Sequence, residues 1–175
     1  MLRCSFHRQL SVETDMDPDL HNISGSPIHI FKTIMNLVSN AAEAQPDGGQ
    51  ITIKTENRYL DKWQSQQHNV KEGDYVLLQV SDVGSGISSK DLQRIFEPFY
   101  TTKALGRGLG LAAVAGIVQN HGGCVSYDSN DAKTTLRLVG RNFLHNAKIQ
   151  FEWENNFLEV TLSYINHNRL YVIIP

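Results

Sequence analysis

Cysteine is scarce in this 175-residue sequence, net charge is small, and no long apolar run occurs. The two cysteines, Cys4 and Cys124, are too few for a disulfide framework and have no metal-ligand spacing. Their scarcity fits a reducing compartment. Lys+Arg total 16 against 18 Asp+Glu, a formal net charge of −2. Such a chain has no general basic field to hold a phosphate backbone, which argues against non-specific nucleic-acid binding. No apolar stretch approaches the roughly 20 residues that cross a bilayer. Met1 to Leu10 carry charge and histidine instead of the apolar centre of a signal peptide. Internal repeats and low-complexity tracts are absent as well. What is present is ordinary: 41% hydrophobic and 19% charged residues. That is enough apolar material for a core, in a length suited to one domain or one domain with a small appendage.

Periodicity divides the chain. Residues 5–16 alternate around Leu10 and Val12, as a half-buried strand does. Ser26-Pro27 reads as a helix start, with Ser as N-cap and Pro at the first helical position. That helix should run to about Gln45, ahead of Pro46-Asp47-Gly48-Gly49. Strands are expected at 50–57 and 74–82, with a polar connector at 58–73. A short helix capped by Ser88 should reach about Phe96, where Pro98 stops it. A glycine-containing loop over 101–110 precedes a helix at 109–121 that closes on Gly122-Gly123. Further strands are expected at 124–128, 134–139, 148–153, 157–164 and 169–174. Clustered strands with helices to one side predict an α+β sandwich, not a doubly wound parallel sheet.

Three segments carry chemistry. On a helical period, Phe31, Ile34, Val38, Ala41 and Ala42 form a core stripe, with Gln45 at its end. Asn36, Asn40 and Glu43 fall together on the opposite side, flanked by Lys32 and Ser39. A polar face is most simply a solvated one. Yet Asn is a mediocre helix former, and its amide oxygen is a hard neutral ligand suited to Mg²⁺. In the second segment, Asp82-Val83-Gly84-Ser85-Gly86-Ile87 ends a strand. Its carboxylate can accept an exocyclic N–H of a base, and glycine lets backbone approach a flat ring. An ordinary strand-to-turn transition has the same composition. In the third, Gly106-Arg107-Gly108-Leu109-Gly110-Leu111 opens a helix rich in small residues. It lacks the Gly-Lys-Ser/Thr of a P-loop and the last glycine of a dinucleotide fingerprint. Exposed amides at a helix start still favour phosphate, and Thr101, Thr102, Lys103 and Arg107 add hydroxyls and cations. A flexible loop before a closely packed helix is the alternative. Phe96, Pro98, Phe99 and Tyr100 form an aromatic cluster just upstream, fit either to plug the core or to anchor a mobile lid.

Taken in order, NLVSNAAEA, DVGSGI, IFEPFYTTK and GRGLGLAAVAGIVQNHGG resemble the asparagine, first glycine, phenylalanine and second glycine boxes of sensor histidine kinases. These are the ATP-binding catalytic domains of two-component systems. They belong to the GHKL, or Bergerat-fold, superfamily that includes DNA gyrase and MutL. The resemblance spans about residues 8–139. It implies a two-layer α/β sandwich with a mixed sheet on helices, and ATP with Mg²⁺ between the helices and a lid. Asn40 inherits the Mg²⁺-coordinating role and Asn36 a place near the phosphates. Asp82 inherits adenine recognition, with Gly84 and Gly86 beside the base. Thr101, Thr102 and Lys103 match the short lid, and Gly106, Gly108 and Gly110 the phosphate-contacting glycines. Glu43, Ile87, Phe99, Arg107, Leu109 and Leu111 complete the candidate nucleotide site. Asn36, Asn40 and Lys103 are the catalytic candidates. Hydrolytic relatives usually carry Glu at the Asn36 position; Asn cannot take a proton, which fits phosphoryl transfer better than hydrolysis.

The implied reaction transfers the γ-phosphoryl group to a histidine on a separate dimerisation domain, with a response-regulator receiver domain downstream. None of His7, His21, His29, His68, His121, His145 and His167 is followed by an acidic residue on a long upstream helix, as the family's acceptor is. The expectation is therefore a cytoplasmic catalytic module cut from a larger kinase, with no membrane insertion of its own. Residues 140–175 are expected to form a β-rich extension or insertion. Two other functions stay open: a non-catalytic ATP sensor that regulates an interaction, and a hydrolytic ATPase of the same superfamily.

Overall fold

Ile51, Ile53 and Thr55 are buried, while the residues between them are half-exposed. This period-two pattern of a strand with one face covered is where the fold is easiest to follow. The computed structural model describes residues 10–23, 25–104, 106–130, 133–140, 148–153 and 156–161. Its elements are β1 (Leu10–Met16), α1 (Pro27–Glu43), β2 (Gly49–Leu60), α2 (Lys62–Gln67), β3 (Gly73–Asp82), α3 (Ser89–Leu92), α4 (Gly110–Asn120), β4 (Cys124–Asn130), β5 (Lys133–Gly140), β6 (Lys148–Trp153) and β7 (Asn156–Thr161). Five strands form one sheet in the order β1-β2-β3-β5-β4. β1 runs parallel to β2, and the other neighbours are antiparallel, so the sheet is mixed. β6 and β7 pair with each other as a separate antiparallel hairpin.

The main core lies between this sheet and the helices α1 and α4. Ile34, Leu37, Val114 and Val118 meet Ile51, Ile53, Leu78 and Val80 there, all of them buried. Full burial of one such aliphatic side chain is worth about 1.5–3 kcal/mol. A second cluster, of Leu60, Tyr75, Leu77 and Cys124, gathers the odd-numbered β3 residues away from that core. Since β3 alternates, Asp82 falls in step with Leu78 and Val80, on the helix side of the sheet.

Several sequence-based expectations need adjustment. The buried stripe of α1 centres on Ile30, Thr33, Ile34, Leu37, Val38, Ala41 and Ala42. Phe31 sits at its margin, half-buried against the core. The helix stops at Glu43, but Gln45 is buried too, because its side chain ties off the helix end. Gln45 Nε2 donates to the Ala41 carbonyl at 3.0 Å and Oε1 accepts from the Gln50 N–H at 2.9 Å. Ser26 occupies the N-cap position of α1 with Pro27 next to it, yet its hydroxyl makes no capping bond. Its backbone N–H instead donates to His121 Nε2 at 3.3 Å.

The supposed connector at 58–73 holds the end of β2 and all of α2. A polar six-residue helix gives no hydrophobic period, but it does have a capping box. Asp61 Oδ1 accepts from the Gln64 N–H at 2.8 Å, and Gln64 Oε1 from the Asp61 N–H at 3.3 Å. The helix expected from Ser88 to Phe96 is one turn, Ser89–Leu92, followed by turns. Ser88 does cap it, accepting from the Asp91 N–H at 3.2 Å. Gly122, at φ +70°, ends α4 in the left-handed conformation that glycine adopts without strain. The strand expected at 157–164 is β7, residues 156–161. Residues 5–9, 162–164 and 169–174 lie outside the described residues.

Candidate functional site

Helical spacing puts Asn36, Asn40 and Glu43 on the face of α1 away from its core stripe, and each of the three contacts another group. Asn36 Nδ2 donates to the Gly110 carbonyl, at the start of α4, over 3.3 Å. Asn40 Oδ1 accepts from Lys103 Nζ at 3.1 Å. The Lys103 ammonium also pairs with Glu43 Oε2. Glu43 Oε1 accepts from the Ser39 hydroxyl at 3.1 Å, an i,i+4 contact along the helix. Residues from three separate sequence motifs thus converge on one helix face. A carboxylate and an amide oxygen there already face a cation, which is the donor chemistry a hard metal ion needs. Among the described residues no group of three or more His, Cys, Asp or Glu side chains is placed to hold a metal by itself. Mg²⁺ commonly takes only one or two protein ligands and fills its shell with phosphate and water.

Asp82, the last residue of β3, is buried at 6% exposure. Its Oδ1 accepts from the Gly84 N–H at 2.9 Å. Burial pushes its carboxyl above the ordinary aspartate range, and the Gly84 bond opposes this in part. Gly84 is tightly enclosed, since a Cβ would come 2.5 Å from the Ala44 carbonyl oxygen. The Ser85 N–H donates to that same oxygen at 3.1 Å, fixing the turn to the end of α1. Gly86 has φ +71°. Ile87 is half-buried beyond it.

The aromatic cluster divides instead of acting as one plug. Phe96 packs against the core, its ring centroid 6.1 Å from that of Tyr127. Phe99 is 77% exposed and has φ +69°, strained for a bulky residue. Its N–H donates to the Gly108 carbonyl at 2.8 Å. Tyr100 donates to Asp91 Oδ1 at 2.5 Å, and the Arg94 guanidinium lies 4.1 Å from its ring centre. Hydrogen bonds from the Ser88 and Tyr100 hydroxyls hold the Asp91 carboxyl below its ordinary range.

Between these anchors Thr101, Thr102, Lys103, Gly106 and Arg107 are exposed. Thr101 Oγ1 accepts from the Lys103 N–H at 3.1 Å, and a Cβ on Gly106 would lie 2.5 Å from that hydroxyl oxygen. Gly110 tolerates more: a Cβ there would sit 3.6 Å from Asn36 Oδ1, an ordinary contact. α4 begins after Leu109 with no side-chain cap, and Leu111 packs on the core. Sequence reasoning missed the Ser39 contact to Glu43 and the Asp91–Tyr100 clamp. The four-residue spacing of Ser39 and Glu43 was the available signal for the first; for the second there was none.

Comparison with known proteins places the chain in a family. Residues 25–143 match the family described as histidine kinase-, DNA gyrase B-, and HSP90-like ATPase. Sensor kinase CckA of Brucella abortus is 37% identical over 131 residues, which cover 73% of this chain and 14% of that protein. The sensory histidine kinase/phosphatase NtrB of Azospirillum brasilense is 36% identical over 143 residues, covering 76% of this chain and 34% of that protein. The chain therefore spans about a seventh and about a third of these two relatives. The solved catalytic domain of histidine kinase ThkA, in a nucleotide-free form, superposes with a TM-score of 0.62 at 26% identity, covering 77% of this chain and 80% of that one. No helix among the described residues is long and apolar enough to cross a membrane. The chain belongs to the histidine kinase-, DNA gyrase B-, and HSP90-like ATPase family, as an ATP-binding catalytic domain of the sensor histidine kinase kind.

Proposed function

We propose that residues 1–139 form the module that binds Mg²⁺-ATP and transfers its γ-phosphoryl group to a histidine on a separate dimerisation domain. The supporting observation is the convergence of Asn36, Asn40, Lys103 and Gly110 on one face of α1. In this reading Asp82 accepts the adenine amino N–H, while Gly84 and Gly86 admit the ring. Ile87 packs beside the base. Gly106, Gly108 and the uncapped amides at the start of α4 face phosphate oxygens, and Thr101, Thr102 and Arg107 donate to them. Phe99, Leu109 and Leu111 shape the lid and its junction with α4. Asn40 would hold Mg²⁺, which supplies neutralisation of phosphate charge. Lys103 places a further cation against the triphosphate. Catalysis is then positioning and charge stabilisation. Asn36 cannot accept a proton from water, so the site favours transfer over hydrolysis.

The wider context is part of the same proposal. The module acts in the cytoplasm, where ATP is available. Its product phosphohistidine serves a response-regulator receiver domain. Residues 140–175, of which Gly140 closes β5 and 148–161 hold the β6–β7 hairpin, are read as a β-rich extension or insertion.

The test supplies a kinase dimerisation domain in trans, with Mg²⁺ and ATP, and follows acid-labile phosphate on its histidine. Phosphohistidine that disappears with Asp82→Asn supports the proposal. Nucleotide binding without transfer, even in the full-length parent, would identify a sensor instead. Steady turnover of ATP by the isolated chain would identify a hydrolase.

A further inference from the structure

Glu43 stands apart from the other residues of the site because it is an anion on the face expected to meet a triphosphate. A carboxylate there repels phosphate, so direct nucleotide contact does not explain it. Its geometry does. Oε1 is held by the Ser39 hydroxyl at 3.1 Å, and Oε2 pairs with the Lys103 ammonium, which also donates to Asn40 Oδ1 at 3.1 Å. Lys103 comes from the middle of a loop whose ends are joined by the bond from the Phe99 N–H to the Gly108 carbonyl. The base of the loop is therefore fixed by a bond separate from the Lys103 contact. The carboxylate is oriented in advance, and the ammonium reaches it from the other side.

We propose that Glu43 is a positioning residue: it docks Lys103 on α1 while no nucleotide is bound, and releases it to the incoming phosphates. The release half rests on the ATP-binding reading above; the docking half does not. Both side chains are about half-exposed, at 51% for Glu43 and 42% for Lys103. An ion pair so hydrated shifts a population by no more than about fivefold. That is weak enough for a triphosphate to win the lysine and strong enough to order the loop without it. Glu43 thereby gives the lid a defined resting place on the helix that also carries Asn36 and Asn40.

The docking half is tested in the nucleotide-free chain by amide hydrogen exchange over residues 101–104. Glu43→Gln and Lys103→Met should each speed exchange there by about threefold, and the double variant should add nothing to either. Salt should speed exchange in the wild-type chain and leave Glu43→Gln unchanged, because only the former has a charge pair to screen. Exchange in Glu43→Gln equal to wild type, or additive effects of the two changes, would overturn docking. The release half is read as ATP affinity without divalent cation, which should rise by about threefold in Glu43→Gln. An unchanged or lower affinity overturns release. A wild-type chain that binds no ATP, with or without Mg²⁺, defeats the proposed function and release together but leaves the exchange result standing.

Discussion

The Phe99 N–H donates to the Gly108 carbonyl at 2.8 Å, and the two residues sit at φ +69° and +65°. This bond closes the lid loop at its base. At Gly108 a Cβ would come within 2.4 Å of the Phe99 carbonyl carbon, so only glycine fits. In L-residues that backbone region also costs about 1–2 kcal/mol. Gly108→Ala should therefore open the loop base and weaken ATP binding by about tenfold or more. Melting temperature should move little, because the loop lies outside the core. Calorimetric titration and a thermal melt on the same preparation check both halves; wild-type affinity would remove the loop base from the binding site.

In the proposed reading Asp82 ties recognition to stability. Its buried carboxyl titrates above the ordinary range, so the native state holds this proton more tightly than the unfolded chain does. Between the unfolded pKa, about 3.9, and the raised native value, stability falls as pH rises. Asp82→Asn removes that slope. The variant should be more stable than wild type at neutral pH, and the difference should vanish below about pH 4. Its ATP affinity should drop at least tenfold, since a hydrogen bond to a charged group is worth about 1.5–3 kcal/mol. Urea unfolding across pH, paired with ATP titration, measures both. Equal stability at neutral pH would mean that burial costs the Asp82 carboxylate nothing.

β2 and α1 were legible because each presents a covered face at its own period. Ile51-x-Ile53-x-Thr55 reads as strand from spacing alone, as Ile34, Val38 and Ala41 read as helix. α2 was not, since its one buried residue within the helix is Ser65 and its stability rests on the Asp61 cap. The candidate site was legible in composition but not in partnership. Asn40 and Lys103 stand 63 positions apart, and no periodicity links them. Phe99 shows the limit most plainly. An aromatic beside Phe96 reads equally as a core plug or a lid anchor, and its ring lies exposed at 77%.

Thr33 offers a test of the core that is independent of the site. It is fully buried in α1, and its hydroxyl oxygen has no hydrogen-bond partner. An unsatisfied buried polar group costs about 1–3 kcal/mol. Thr33→Val keeps the shape and removes that cost, so it should stabilise the chain by about 1 kcal/mol. Chemical denaturation at constant m-value is the measure; a loss of stability would show that the hydroxyl is satisfied in solution.

His121 joins the two long helices at their ends. Nδ1 donates to the Ile117 carbonyl at 2.7 Å, which leaves Nε2 to accept the Ser26 N–H at 3.3 Å. His121→Ala should leave that part-buried amide without this acceptor and cost about 1 kcal/mol. Hydrogen exchange should quicken first at the start of α1. Gln in place of Ala, with an acceptor of similar reach, should recover part of the loss. Equal exchange in all three proteins would dismiss the bridge.

β3 is the middle strand of its sheet, and Asp82 is its last residue. In the proposed reading the base end of the site is therefore built on the central strand, whereas the phosphate end lies on a loop tied at its base by the Phe99–Gly108 bond and docked on α1 through Lys103. Small flat compounds that fill only the Asp82 end should then need little rearrangement to bind. Molecules long enough to reach Lys103 must first reorder the lid, so their binding entropy should be less favourable. Inhibitors of this module would then separate by length, with compact adenine mimics gaining more affinity per atom than extended nucleotide mimics.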